Sequence, residues 1–289
     1  MKIAMLSTFG PEVRGVSYYS DCLRTALSAI EGVELVAVDY ARLYPGWLYP
    51  AESGAVAEGH NRIVHYAKPW TWTLSGWSPD VIHLQSWSFA TSVIHRRILK
   101  EARRRNIPSV ITLHNPASHE RSWPLGTLER GCLRLADRII IHDSCGLESI
   151  PAKWHAKVEV IPHGVEELQT DSPLPEITET PYVLYFGNIR PYKGVDLLVA
   201  AWQQVAKEVP GVRLCIAGRL WQGQTLLGRL TARMLGTAAY AKKIRALSGS
   251  ADLQRVEFHL GFIEDNELDR LIRGARYTVF PYTRFSGHS

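Results

Sequence analysis

The stretch Tyr182-Val183-Leu184-Tyr185-Phe186-Gly187-Asn188-Ile189-Arg190-Pro191-Tyr192-Lys193-Gly194-Val195-Asp196 carries the densest structural signal in the chain. A β-branched and aromatic run stops at Gly187-Asn188, a turn follows, and a helix is expected from Gly194. A strand–turn–helix unit sets Arg190 and Lys193 beyond the C-terminal end of its strand. Backbone N–H groups and the helix dipole favour an anion there. One arginine and one lysine suit a diphosphate. On spacing alone, a surface turn with two solvated cations is the alternative. The turn is not a Walker loop, and no G-x-G-x-x-G follows the first strand, so a P-loop or NAD-binding reading has little support.

The same rhythm runs outward in both directions. Toward the N-terminus, strands are predicted at Lys2–Thr8, Val33–Asp39, Val81–Leu84, Pro108–His114, Arg138–His142 and Val158–Ile161. Helices are predicted at Ser17–Glu31, Ala90–Asn106 and Leu125–Ala136. Toward the C-terminus, strands Val212–Ala217, Val256–Leu260 and Tyr277–Pro281 alternate with helices Gly194–Lys207, Gln224–Leu247 and Glu264–Arg273. Apolar strands alternating with amphipathic helices imply parallel sheets covered on both faces. Between the two runs, Glu166–Pro181 holds Pro173, Pro175 and Pro181 among acidic residues and reads as a linker. The expectation is an α/β chain of two Rossmann-like domains, residues 1–164 and 165–289. Ligands of such sheets bind beyond the strand C-termini, so the expected site is a cleft between the domains.

Composition bounds the function. The chain has 289 residues, 46% of them hydrophobic, enough for a core without staples. Its four cysteines include no C-x-x-C pair, which argues against a zinc site or a secreted disulfide framework and fits a reducing compartment. The N-terminal apolar run is too short for a signal peptide, and no stretch approaches the roughly 18 residues of a membrane span. The expected location is therefore cytoplasmic.

The net charge is +5, and it is local: Arg219 to Ala251 contains six basic residues and no acidic one. Leu227, Leu230, Met234, Ala238, Ala241 and Ile244 form a stripe in that segment. It is expected to offer a peripheral contact with an anionic membrane face, with packing on its own sheet as the alternative. A second basic run, His95–Arg105, is read as the solvated face of a helix whose core stripe is Ile94, Ile98 and Ala102. Its cations are not interleaved with aromatics on a recognisable module, so nucleic acid is not an expected partner. Tyr40–Trp77, rich in Trp, Tyr, Pro and Gly, reads as an irregular elaboration suited to loop packing or to sugar or lipid contacts.

An ordered set of short strings resembles the family 4 glycosyltransferases of the GT-B fold. Phe186–Gly194 is similar to a variant of the family's phosphate-binding turn. Gly15-Val16-Ser17-Tyr18-Tyr19 resembles the glycine loop before the first helix. Pro79–His83, Thr112-Leu113-His114-Asn115, Val160–Val165, Cys215-Ile216-Ala217-Gly218 and Val279–Tyr282 resemble later motifs, in the family's order. The resemblance implies transfer of a sugar from a nucleotide-diphosphate donor of UDP or GDP type to a glycan or lipid-linked acceptor, with retention at the anomeric carbon. It implies catalytic roles for His114, Arg190 and Lys193. Donor contacts fall on Gly15, Gly187, Asn188, Arg190, Lys193 and Gly218. Asn188 stands where the family usually has arginine, so Arg190 takes that role. No metal or other cofactor is expected, since the two cations supply the charge and no carboxylate pair is spaced to hold a metal. The resemblance also implies that the second domain is truncated at Ser289, on the order of 80 residues short at roughly 30 per βαβ unit. A non-catalytic homologue acting as a binding or partner subunit is the rival reading.

Overall fold

The computed structural model describes residues 1–10, 15–42, 62–74, 76–87, 89–114, 125–164, 181–220, 236–251 and 253–283. The chain divides into two compact units, the first holding Met1–Gly46 and Pro50–Val165, the second Glu166–Phe285.

The first unit runs β1 (Lys2–Leu6), α1 (Val16–Ser28), β2 (Glu34–Arg42), β3 (Arg62–His65), β4 (Val81–Ser86), α2 (Phe89–Arg104), β5 (Ser109–Leu113), α3 (Leu125–Leu135), β6 (Arg138–Ile141) and β7 (Val158–Val160). These strands form one sheet in the order β3-β2-β1-β4-β5-β6-β7. Every pair is parallel. Apolar residues run almost unbroken along the central strands because helices cover both faces; Met5, Leu84, Ile139 and Ile141 are fully buried. The register pairs Ser86 with Leu113, Leu113 with Ile141, and Ile141 with Val160. The residues that follow, His114, His142 and Ile161, therefore leave the sheet side by side on one rim.

Two sequence expectations change in this unit. The segment read as irregular contains β3, an edge strand too short for its alternation to stand out. The segment's tryptophans divide: Trp72 and Trp77 pack on the core, whereas Trp70 is 69% exposed. Residues 43–61 of the segment lie outside the described residues. The basic helix face is solvated at Arg97, Lys100, Arg103 and Arg104. Arg105, however, donates to the carbonyls of Leu74 and Trp77 at 2.7 and 2.6 Å and ties that segment to α2. The predicted stripe Ile94, Ile98 and Ala102 is buried.

The second unit contains β8 (Tyr182–Phe186), α4 (Val195–Glu208), β9 (Arg213–Gly218), α5 (Thr237–Ser248), β10 (Val256–Leu260), α6 (Asp265–Gly274) and β11 (Tyr277–Thr278). Its parallel sheet has the order β10-β9-β8-β11. α4 buries Val195, Val199, Trp202 and Ala206, a helical stripe against this sheet. Of the segment predicted as helix from Gln224, residues 221–235 lie outside the described residues. In the described part, Ala241 and Ile244 are buried in the unit's own core. In α5 these two stripe residues thus face the unit's own sheet, whereas Leu227, Leu230 and Met234 of the predicted stripe lie outside the described residues. No helix among the described residues is long and apolar enough to cross a membrane.

Candidate functional site

The turn after β8 is built from close backbone approaches. Gly187 has φ +114°, which only glycine adopts readily, and its N–H donates to the Ala217 carbonyl at 3.0 Å. A Cβ on Gly218 would stand 1.9 Å from the Gly187 oxygen. The two predicted donor glycines therefore meet each other: Gly218 lets the ends of β8 and β9 touch. Ile189 is buried and its N–H donates to the Arg219 carbonyl at 2.8 Å. Asn188, next to it, is exposed. Arg190 precedes a short 3-10 turn, Pro191–Lys193, and is half-buried near the Tyr192 phenol.

Lys193 leads back over this turn. Its Nζ lies 5.0 Å from the centre of the Tyr282 ring, a cation–π distance, and 3.5 Å from where a Gly187 Cβ would be. Lys193 is half-buried, and among the described residues no carboxylate pairs with it. Phe186 and Phe280 pack edge to face beside Tyr282, so the ammonium rests on an aromatic wall. The ammonium thus keeps its charge on an aromatic support, with no carboxylate beside it among the described residues.

The helix behind the turn behaves differently from expectation. Gly194 takes the left-handed conformation at φ +65°, and a Cβ there would lie 2.2 Å from the Pro281 carbonyl oxygen. Its own N–H donates to Pro191. The Asp196 N–H donates to the Tyr240 hydroxyl at 3.2 Å, and that hydroxyl donates to the Asp196 carboxylate at 2.8 Å. Lys243 closes the cluster at 2.6 Å from Asp196. Burial raises the Asp196 pKa, but the Lys243 and Tyr240 bonds outweigh it and hold the carboxyl below its ordinary value. The expectation that the start of α4 offers unpaired amides to a phosphate is thus corrected at Gly194 and Asp196. Charge at this corner comes from side chains.

In the first unit the predicted His114 ends a buried polar ladder. Residues two apart on a strand share a face, which sets His83 and Gln85 of β4 beside Thr112 and His114. His83 Nε2 meets Thr112 Oγ1 at 2.8 Å and Gln85 Nε2 at 3.2 Å; Gln85 Oε1 accepts from His114 Nε2 at 2.8 Å. Burial pushes the His83 pKa down to about 4. Gly15 caps α1 at φ +84° with nothing within 4 Å of a Cβ. The positive φ by itself favours glycine at this position, and the space beside it is open.

α1 brings in a residue that sequence reading missed. Ser20 bonds Ser7 at the end of β1 at 2.6 Å, and Asp21 accepts from the Gly10 N–H at 2.9 Å. This anchoring lays Tyr19 against three imidazoles, with ring centres 4.8 Å from His114, 5.2 Å from His142 and 4.9 Å from His163. Burial raises the Tyr19 pKa, keeping a neutral phenol. Burial also lowers the His142 pKa, opposed by its bond to Ile161. The available signal was three strands of one sheet each followed closely by histidine. Only the register shows that they converge.

Comparisons place both units among known proteins. A profile described as Glycosyltransferase Family 4 matches residues 18–167, and one described as Glycosyl transferases group 1 matches residues 168–287. Glycogen synthase of Mycobacterium tuberculosis (strain CDC 1551 / Oshkosh) is 25% identical over 218 residues, covering 71% of this chain and 47% of the relative. The chain thus spans about half the length of the curated relatives it matches. Among solved structures, the catalytic domain of starch synthase IV from Arabidopsis thaliana, bound to ADP and acarbose, superimposes with a TM-score of 0.64 at 11% identity, covering 100% of this chain and 79% of that one. An Escherichia coli structure, described as trehalose-6-phosphate bound with UDP-2-fluoro glucose, gives 0.63 at 12% identity, covering 99% and 79%. These structural likenesses establish the fold.

Proposed function

The chain belongs to glycosyltransferase family 4, and from that premise we propose that it moves a sugar from a nucleotide-diphosphate donor to a glycan or lipid-linked acceptor, with retention of anomeric configuration. The observation that carries this reading is the Lys193 ammonium held over Tyr282 with no carboxylate partner among the described residues. Breaking the bond between the anomeric carbon and the diphosphate builds negative charge on the leaving oxygens. A fixed cation stabilises that charge more in the transition state than in the ground state. Lys193 and Arg190 fill this role, and the second unit holds the donor. His114 is assigned a contact to the donor sugar. The buried Gln85 carbonyl fixes its tautomer by accepting from Nε2.

The test is binding and turnover with UDP- and GDP-sugars. Calorimetry with UDP and GDP is expected to show one nucleotide bound by the parent chain. Lys193→Ala should weaken that binding and lower kcat by about 100-fold or more, equivalent to roughly 3 kcal/mol of lost transition-state stabilisation. Unchanged turnover in Lys193→Ala would remove the residue from the chemistry. Absence of binding to either nucleotide would sink the donor-site reading.

A further inference from the structure

Tyr19 stands at the rim of the first unit with a hydroxyl that the fold does not use. Its ring is clasped by His114, His142 and His163, with centres 4.8, 5.2 and 4.9 Å away. The Ser20–Ser7 bond and the bond from the Gly10 N–H to Asp21 fix the helix that carries it. Tyr40, Tyr182, Tyr185 and Tyr240 each bond their hydroxyls within the fold. Among the described residues no hydrogen bond reaches the Tyr19 phenol oxygen, and that oxygen is not among the buried orphan atoms. It therefore opens on solvent while its ring is half-buried.

The phenol is a neutral group. Burial raises the Tyr19 pKa, so the proton stays on the oxygen well above neutral pH and the hydroxyl both donates and accepts. Its task is binding rather than proton transfer. Burial also lowers the pKa of His142 beside it, which keeps that imidazole uncharged near neutral pH. A phosphate calls for a fixed cation, such as Lys193 in the second unit. A sugar ring offers hydroxyls that donate and accept as the phenol does, and C–H groups that suit an aromatic wall with a polar tip.

We propose that Tyr19 is a substrate-contact residue whose hydroxyl bonds a hydroxyl of a neutral sugar ring on the acceptor. This rests on the transferase reading and narrows it: the acceptor group that enters the first unit is a saccharide, not the phosphate head of a lipid. His114 keeps its contact to the donor sugar, and Tyr19, packed edge to face against it, holds the sugar that receives the transferred one. The bond also orients. A sugar ring held by apolar contact alone can turn, whereas one tied through a fixed phenol presents a chosen oxygen.

The experiment uses the whole chain and two substitutions. Tyr19→Phe keeps the ring among the imidazoles and removes only the oxygen; Tyr19→Leu removes the ring. The probes are glucose, galactose, mannose and short oligomers of each, with farnesyl phosphate as the phosphate-headed alternative. Each is titrated by saturation-transfer NMR with no nucleotide present. At least one neutral saccharide is expected to bind the parent chain. Tyr19→Phe should weaken it by about three- to tenfold, the loss expected for one hydrogen bond between neutral groups. Nucleotide affinity by calorimetry should not change. Circular dichroism verifies both variants. Equal saccharide affinity in Tyr19→Phe and the parent, with loss in Tyr19→Leu alone, makes the residue a packing element and overturns the proposal. So does failure of every neutral saccharide to bind the parent, or farnesyl phosphate binding that weakens in Tyr19→Phe. Because these titrations need no nucleotide, failure to bind UDP or GDP counts against the transferase reading and failure to bind saccharide against Tyr19.

Discussion

At the residue scale, glycine and aromatic positions do most to fix the corner after β8. Gly218 abuts the Gly187 carbonyl so closely that a methyl group would sit at 1.9 Å from an oxygen held by the sheet. Gly218→Ala must therefore part β8 from β9. A loss of about 1–3 kcal/mol is expected, measured as a lower urea midpoint followed by tryptophan fluorescence. The sequence string marked Gly187 and Gly218 as important through motif likeness. It could not show that they answer to each other, because their contact spans two strands. Tyr282 supports Lys193 from 5.0 Å. Tyr282→Leu should leave the fold in place and weaken UDP affinity several-fold, by about 0.5–2 kcal/mol, in the same calorimetric assay.

At the element scale, α4 shows where local reading stops. Its existence was legible in Val195, Val199, Trp202 and Ala206, an apolar stripe at helical spacing. Its N-terminus was not legible, because the partner is Tyr240 on α5, 44 residues away. Tyr240→Phe removes a hydroxyl bonded to both the Asp196 N–H and its carboxylate. It should cost about 1–3 kcal/mol, since a half-buried carboxylate loses a donor. Differential scanning calorimetry of the variant reads this directly. β3 was missed for a related reason. Arg62–His65 pairs only with β2, at the sheet edge, so its side chains lack the two-sided apolar signature of β1 or β4. The three rim histidines were visible as single letters at strand ends. Their convergence depends on register, which no single segment encodes.

For the whole molecule, buried titratable groups give the two units different acid sensitivities. His95 is fully buried, bonds the Tyr40 hydroxyl at 2.7 Å, and burial pushes its pKa down to about 3; for His83 the value is about 4. Both are lowered from an ordinary 6.5. Between those limits the unfolded chain binds protons that the folded chain refuses. Stability is therefore full above about pH 6.5 and falls as pH drops, by at most about 1.4 kcal/mol per pH unit for each histidine. In the second unit, Asp196 is held below its ordinary value of 3.8, so its contribution is lost only at lower pH, as acid protonates it. Urea melts at pH 7, 6 and 5 should show the first unit weakening first. His95→Gln should flatten that slope. An equal pH dependence in the parent and His95→Gln chains would refute the assignment.

The strand order of the first sheet also has a consequence for how the protein is made. β1 lies in the interior of the sheet, hydrogen-bonded to β2 on one side and β4 on the other, but Val81–Ser86 follows Lys2–Leu6 by about 75 residues. At ribosomal speeds of about 5–20 residues per second, one side of β1 waits roughly 4–15 s for its neighbour. Throughout that interval an emerging polypeptide presents Met5 and Leu6 beside an open row of amide and carbonyl groups. Nascent chains arrested before Ser86 leaves the exit tunnel should thus recruit chaperones more strongly than those arrested after it.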